Sequence, residues 1–206
     1  MSTVRQLPGI DGMAGTFAGL LGDLRRSYTV GSAQVKELLV ATEEADRLCL
    51  LLCGPARATC IRLQDPQGCD ILRFHRPYWV GACCLGACWA EMRVFGASNQ
   101  LVGSVQQRWS ALSHRWEVCN ARGTGTMSIQ GSCATSRCST EQEFQVTSHA
   151  GSPLAVIWKR WPGFSEDCNR DHEFFGVDIS APVGAEDGAL LLAAAFLLNF
   201  MFFEMS

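Results

Sequence analysis

Apolar residues recur at alternate positions in a series of short runs from about residue 33 onward. "TCIRLQ" and "CDILRF" flank "DPQG" (Asp65–Gly68), and "AEMRVF" and "LVGSVQQRW" flank "GASNQ". "RWEVCN" and "TMSIQG" flank "ARGTG", and "EQEFQVT" and "PLAVIWKRW" flank "SHAGS". Each run is rich in β-branched or aromatic residues. Each connection holds Gly with Asn, Asp or Ser, which accept or stabilise turn geometry. Four successive hairpins predict an antiparallel barrel or sandwich.

Two stretches break this period. "MAGTFAGLLGDLRR" places Phe17, Leu20, Leu21 and Leu24 on one helical stripe, which predicts a short N-terminal amphipathic helix. The closing run "ALLLAAAFLLNFMFFEMS" is apolar all round, so it is either a core helix or a membrane span. Residues 189–203 would rise roughly 22 Å at about 1.5 Å each, short of a hydrocarbon core of about 30 Å. Asn199 interrupts the run, Glu186 and Asp187 precede it, Glu204 follows it, and no Lys or Arg flanks it. Length and flanking charge favour the core helix. The chain then divides into a leader, residues 1–32, and a β domain, residues 33–206, that includes a C-terminal helix over 188–204.

Composition narrows the function classes. The chain of 206 residues is 48% hydrophobic and 18% charged, as a folded domain is, and its net charge of -3 argues against a nucleic-acid partner. Eleven cysteines cannot all pair internally. The N-terminus lacks a long secretory h-region, so reduced thiols in a cytosolic compartment are expected. No C-x-x-C or H-x-x-x-H spacing supports zinc. His75, His114, His149 and His172 are scattered; His114 and His172 read as strand-surface residues, and no catalytic constellation is present.

Three clusters could carry chemistry. Cys83, Cys84 and Cys88 follow "HRPYW" and suit either S-acylation or burial as small hydrophobes. "SEDCNRDHEFFGVD" (Ser165–Asp178) concentrates acidic oxygens as a calcium loop does, but lacks regular D-x-D-x-[DN]-G spacing, and a solvated acidic loop fits it as well. Trp158, Lys159, Arg160 and Trp161 interleave indoles with cations as a membrane interface does; the other reading, favoured for one of the two indoles, is a strand with Trp158 or Trp161 facing the core.

"FLLNFMFFE" (Phe196–Glu204), together with "CGPAR" (Cys53–Arg57), "DPQG", "QRW" ending at Trp109 and "WKRWPGF" (Trp158–Phe164), resembles the phospholipid scramblase family. The resemblance runs from about Val30 to Glu204. It implies a closed antiparallel β-barrel, similar to the tubby C-terminal domain, threaded by the apolar C-terminal helix. It implies calcium-dependent, ATP-independent, bidirectional movement of phospholipids across a bilayer, without covalent chemistry. By position it assigns Cys83, Cys84 and Cys88 to the acylated cluster. It assigns Asp171 and Glu173, with Asp178 one position beyond a family glycine, to a Ca2+ segment. It makes Trp158–Trp161 similar to a non-standard nuclear-import signal. A phospholipid membrane is then the partner, homo-oligomerisation would supply a lipid path, and the cytoplasmic face of the plasma membrane is the expected site, with a nuclear pool. The family's long Pro-rich N-terminal region has no counterpart here, so its protein partners are not expected. The alternative function is a lipid-anchored interaction or nuclear-shuttling barrel without intrinsic scrambling.

Overall fold

The computed structural model describes residues 2–6, 27–32, 39–44, 58–77, 90–108, 114–131, 141–160 and 174–203. Twelve strands occur among them: β1 (Ser2–Gln6), β2 (Ser27–Ser32), β3 (Leu39–Glu44), β4 (Thr59–Gln64), β5 (Asp70–Arg76) and β6 (Glu91–Gly96), then β7 (Leu101–Arg108), β8 (Arg115–Asn120), β9 (Gly125–Gly131), β10 (Glu141–Ser148), β11 (Pro153–Arg160) and β12 (Phe174–Ile179). The helix α1 (Ala185–Leu198) runs on into a π-helical turn, Asn199–Phe203.

From β2 to β12 each strand pairs antiparallel with the next in sequence, making one eleven-stranded meander. β1 lies in register with both ends of that meander, Val4 opposite Val30 of β2 and Phe175 of β12. The four hairpins expected from alternation are β4–β5, β6–β7, β8–β9 and β10–β11. Their turns are built locally. Gly68, Gly123 and Gly151 have φ near +80° and Asn99 has φ 65, the left-handed conformation that glycine and asparagine tolerate. Asp65 Oδ1 accepts from the amides of Gln67 and Cys69, and Asn120 Oδ1 from those of Arg122 and Thr124.

Two sequence expectations change. Residues 1–32 contribute β1 and β2 to the sheet rather than standing apart from it, while the segment expected to form the N-terminal helix lies outside the described residues. The end of the acidic segment is also not loop. Phe175, Val177 and Ile179 alternate with Phe174, Gly176 and Asp178, and this period makes β12.

The sheet winds around α1. Leu190, Leu191, Ala193 to Leu198, Phe200, Met201 and Phe202 are all buried. The Phe196 ring meets Tyr28 of β2 at 5.2 Å, Phe74 of β5 at 5.8 Å and Phe175 of β12 at 5.4 Å. Phe202 meets Trp116 of β8 at 5.7 Å and Phe144 of β10 at 5.6 Å. One helix thus touches strands on every side of the sheet. Small residues allow the approach: a Cβ on Gly103 of β7 would lie 3.0 Å from Leu190 and 2.3 Å from the Cys119 carbonyl.

The helix begins at Ala185, three residues before the expected start. Glu186 and Asp187 lie in its first turn, where carboxylates favour the positive end of the helix dipole. With that extension Ala185–Phe202 is long and apolar enough to cross a membrane by length and composition, but 61% of it is buried inside the protein. Burial, not length, identifies it as the core helix.

Candidate functional site

Antiparallel pairing sends the connections to two opposite ends of the sheet. The tight turns at 65–69, 97–100, 121–124 and 149–152 share one end with the start of α1. The connections 7–26, 45–58, 77–90, 109–114, 132–140 and 161–173 join the strands at the other end. The carboxyl end of α1 points there, because Leu190 sits beside Gly103 near the tight turns and Phe202 sits beside His114 at the far end.

Cys83, Cys84 and Cys88 lie outside the described residues, on the connection between β5 and β6. Asp171, Glu173 and Trp161 also lie outside them, on the connection between β11 and β12. The topology therefore attaches the thiol cluster and the acidic segment to the same end of the sheet.

Asp178 is described, on β12 opposite Val156. Its Oδ1 is buried and has no hydrogen-bond partner. That is an oxygen of the right hardness for calcium. It lies four extended residues beyond Phe174, about 13 Å along the strand from where the acidic connection joins. Calcium ligands stand within about 2.6 Å of one ion, so a site shared with Asp171 and Glu173 requires that connection to return along β12. No group of three His, Cys, Asp or Glu side chains suited to a metal occurs among the described residues.

Trp158 and Lys159 depart from the expected interface. They are 3% and 4% exposed, so neither side chain meets a membrane surface or an import receptor in this conformation. For Lys159 the reason is parity: it continues the inward face of Ala155 and Ile157, while Trp158 is buried on the opposite face of β11. Arg160 closes the strand opposite Glu141. His114 also differs from its reading as a surface residue. Its ring is half-buried, 5.2 Å from Phe202 and 6.1 Å from Trp116.

Alternation continued to the strand ends reveals a feature that residue-type motifs miss. The inward positions are apolar until the last level at the long-connection end. There they become Glu43 of β3, Thr59 of β4, Arg76 of β5, Gln142 of β10 and Lys159 of β11, all buried. Each keeps the inward parity of its strand, as Ala41, Ile61, Phe74, Phe144 and Ile157 do. Thr59 Oγ1 donates to Glu43 Oε1 at 3.0 Å, and Thr59 stands opposite Arg76 in the ladder. The Arg76 guanidinium lies over the Phe200 ring, 5.2 Å from its centroid. Gln142 stands opposite Lys159.

The described cysteines, Cys60, Cys69 and Cys119, are free thiols. Burial pushes the thiols of Cys60 and Cys119 above the ordinary range, which leaves little reactive thiolate near neutral pH.

Comparison with known proteins places this architecture. The chain is 26% identical over 185 residues to phospholipid scramblase 2 of Bos taurus, covering 89% of this chain and 63% of that protein. It is 25% identical over 183 residues to phospholipid scramblase 1 of Mus musculus, covering 88% and 56%. It is 26% identical over 180 residues to phospholipid scramblase family member 5 of Homo sapiens, covering 87% and 66%. The chain thus spans about 63% and 56% of the length of the first two relatives. No solved structure matches it. The Scramblase family model matches residues 24–205, which takes in β2 to β12, α1 and the π-helical turn, and the chain belongs to that family.

Proposed function

We propose that this protein is a phospholipid scramblase-like membrane protein that moves phospholipids between leaflets in response to calcium, without ATP and without covalent chemistry. The observation that carries the reading is the family match across 24–205, with relatives named phospholipid scramblases. The sheet acts as a closed barrel with β1 as its seam; the registers of β1 against β2 and β12 support closure. The working domain then starts at β1, so residues 1–32 are part of it.

Acylation of Cys83, Cys84 and Cys88 anchors the long-connection end to the cytoplasmic face of the plasma membrane. One acyl chain holds a protein marginally, and two hold it stably. Calcium is bound by Asp171 and Glu173, with the connection folding back so that Asp178 Oδ1 becomes a third ligand. The unpartnered state of that oxygen supports its part. Calcium there would neutralise acidic charge on the connection that leaves the membrane-facing end. Support for this arrangement lies in the topology, which joins both connections to one end of the sheet.

A single buried helix offers no polar path through about 30 Å of hydrocarbon. Lipid movement on this reading belongs to a homo-oligomer or to a locally thinned bilayer. The burial of α1 also favours a second reading, a lipid-anchored interaction module with a nuclear pool and no intrinsic scrambling. Purified protein reconstituted in liposomes, with labelled-lipid exposure followed with and without calcium, separates the two. Calcium-stimulated exposure above protein-free vesicles supports the first; rates equal to protein-free vesicles overturn it.

A further inference from the structure

β1 differs from the two strands it joins. Its core-facing register positions are 2, 4 and 6, opposite Ser32, Val30 and Tyr28 of β2; positions 2 and 4 also stand opposite Val177 and Phe175 of β12. The neighbours bring Tyr28, Val30, Phe175 and Val177 to this level, all buried. β1 brings Ser2, Val4 and Gln6, of which only Val4 is apolar in type. What β1 chiefly offers is backbone pairing, at five positions with β2 and four with β12.

The core behind β1 is bridged by other elements. The Tyr28 and Phe175 rings, one from each neighbour, meet edge-on at 6.3 Å, and Phe196 of the helix meets both, at 5.2 and 5.4 Å. The residues matched to the family begin at 24, after β1. Residues 7–26 tie β1 to β2. These twenty residues (26 less 6), at up to about 3.3 Å each, can span far more than the roughly 4.8 Å between paired strands, so β1 can leave its place while β2 keeps its own.

We propose that β1 is a displaceable closing strand, and that the slot it fills, between β2 and β12, binds an extended segment of a partner protein with apolar residues at alternate positions. Resting on the barrel reading with β1 as its seam, this slot gives the interaction-module function its class of partner. Departure of β1 leaves two strand edges beside an aromatic floor. The edges call for backbone donors and acceptors, which a lipid chain lacks and a peptide strand supplies on both sides. The floor favours apolar side chains at every second position, where β1 has Ser2 and Gln6. A segment that is apolar at all three positions therefore outcompetes β1.

Fluorescence anisotropy on the full-length protein tests this, the probe being a labelled peptide that alternates Val and Thr between terminal lysines. Val4→Pro, which removes a ladder donor from β1, should bind it about tenfold more tightly than the parent. Ser2→Val with Gln6→Val, which fits β1 to the floor, should bind it about tenfold more weakly. A peptide of the same composition with the alternation broken should bind less well than the probe. Equal affinity across the three proteins, or for both peptides, overturns the proposal. Hydrogen exchange reads the strand itself, whether or not Val4→Pro folds. Amides of residues 3–6 should exchange faster than those of β7 to β9 in the parent, and about tenfold more slowly in Ser2→Val with Gln6→Val than in the parent. Protection equal to that of β7 to β9 in the parent overturns displacement; no protection in either protein removes the seam on which the slot rests. A doubled mass in solution without peptide uptake assigns the slot to a second copy and overturns the partner. None of these readouts involves lipid movement, so the slot and scrambling fail separately.

Discussion

The two ends of the sheet meet different demands from the same strands. At one end, four short turns are satisfied from within, by Asp65, Asn120 and Ser148 accepting backbone amides and by residues in the left-handed conformation. The inner positions behind them are apolar or glycine, as Gly103 is against Leu190. At the other end the connections are long, the inward layer is charged, and the helix terminates against it. The first end is a scaffold whose geometry is written within four or five residues. The second depends on partners far apart in sequence, such as Glu43 with Thr59 and Arg76 with Phe200.

The largest expected effect tests the element that joins the two ends. Deleting residues 196–206 removes Phe196, Leu197, Leu198 and Phe200, each at most 1% exposed. At roughly 1.5–3 kcal/mol per buried side chain, the loss rivals a whole domain stability of about 5–15 kcal/mol. Circular dichroism should show no cooperative melt; a native-like transition in the truncated chain would mean that the helix is dispensable to the core.

Next comes the long-connection end. Changing Cys83, Cys84 and Cys88 together to Ala should move the protein from the membrane fraction to the soluble fraction of cells, while each single change does less. Persistent membrane association of the triple variant would assign anchoring to another part of the chain.

At the scaffold end, Gly103→Val should cost about 1–3 kcal/mol, because its Cβ meets the Cys119 carbonyl and Leu190 together. Urea denaturation measures this, and an unchanged midpoint would show that the helix has room to retreat. Two glycines inserted between Arg122 and Gly123 should cost less than about 1 kcal/mol and leave vesicle binding unaltered, since lengthening a surface turn adds little closure entropy. A change in vesicle binding would bring this end into the function.

The smallest effect concerns the wall between the ends. Burial is the largest cause of the raised Cys60 pKa, outweighing the opposing effect of Arg73. Only the thiolate attacks an alkylating reagent, so the folded protein should label at Cys60 more slowly than the unfolded chain and gain rate at higher pH. The same shift makes folding stability fall as pH rises past the free-thiol range of about 8.5, because the unfolded state releases that proton first. Equal labelling rates in native and denatured protein, followed by peptide mapping, would contradict this.

What was legible in the sequence follows the same division. The four hairpins could be read because each carries its turn chemistry beside its alternation, as "DPQG" lies between "TCIRLQ" and "CDILRF". The buried helix could be read from Asn199 and the flanking acids, although its start at Ala185 depended on first-turn charge. β1, β2 and β3 were not legible as partners, since residues 7–26 and 33–38 separate them in sequence and their pairing is settled by the rest of the sheet. β12 was hidden by its acidic neighbours. Lys159 read as a surface cation because residue type outweighed parity: Ala155 and Ile157 already set its inward direction. His114 was misread because its environment is made by Phe202, 88 positions later in the chain (202 less 114).

The centre of this core is also the last of the described elements to be synthesised. Strands β1 to β12 all precede Ala185–Phe203 in the chain, and their inner faces have the helix as their common partner. While translation proceeds, the emerging strands can pair with one another but cannot fill the space they enclose. Ile61, Phe74, Val118, Phe144 and their neighbours stay without their central partner until Ala185–Phe203 clears the ribosome exit tunnel. Such a nascent sheet exposes apolar surface for the whole interval, at elongation rates of about 5–20 residues per second. Chaperone occupancy on translating ribosomes should therefore persist through β12 and fall only once the helix has emerged.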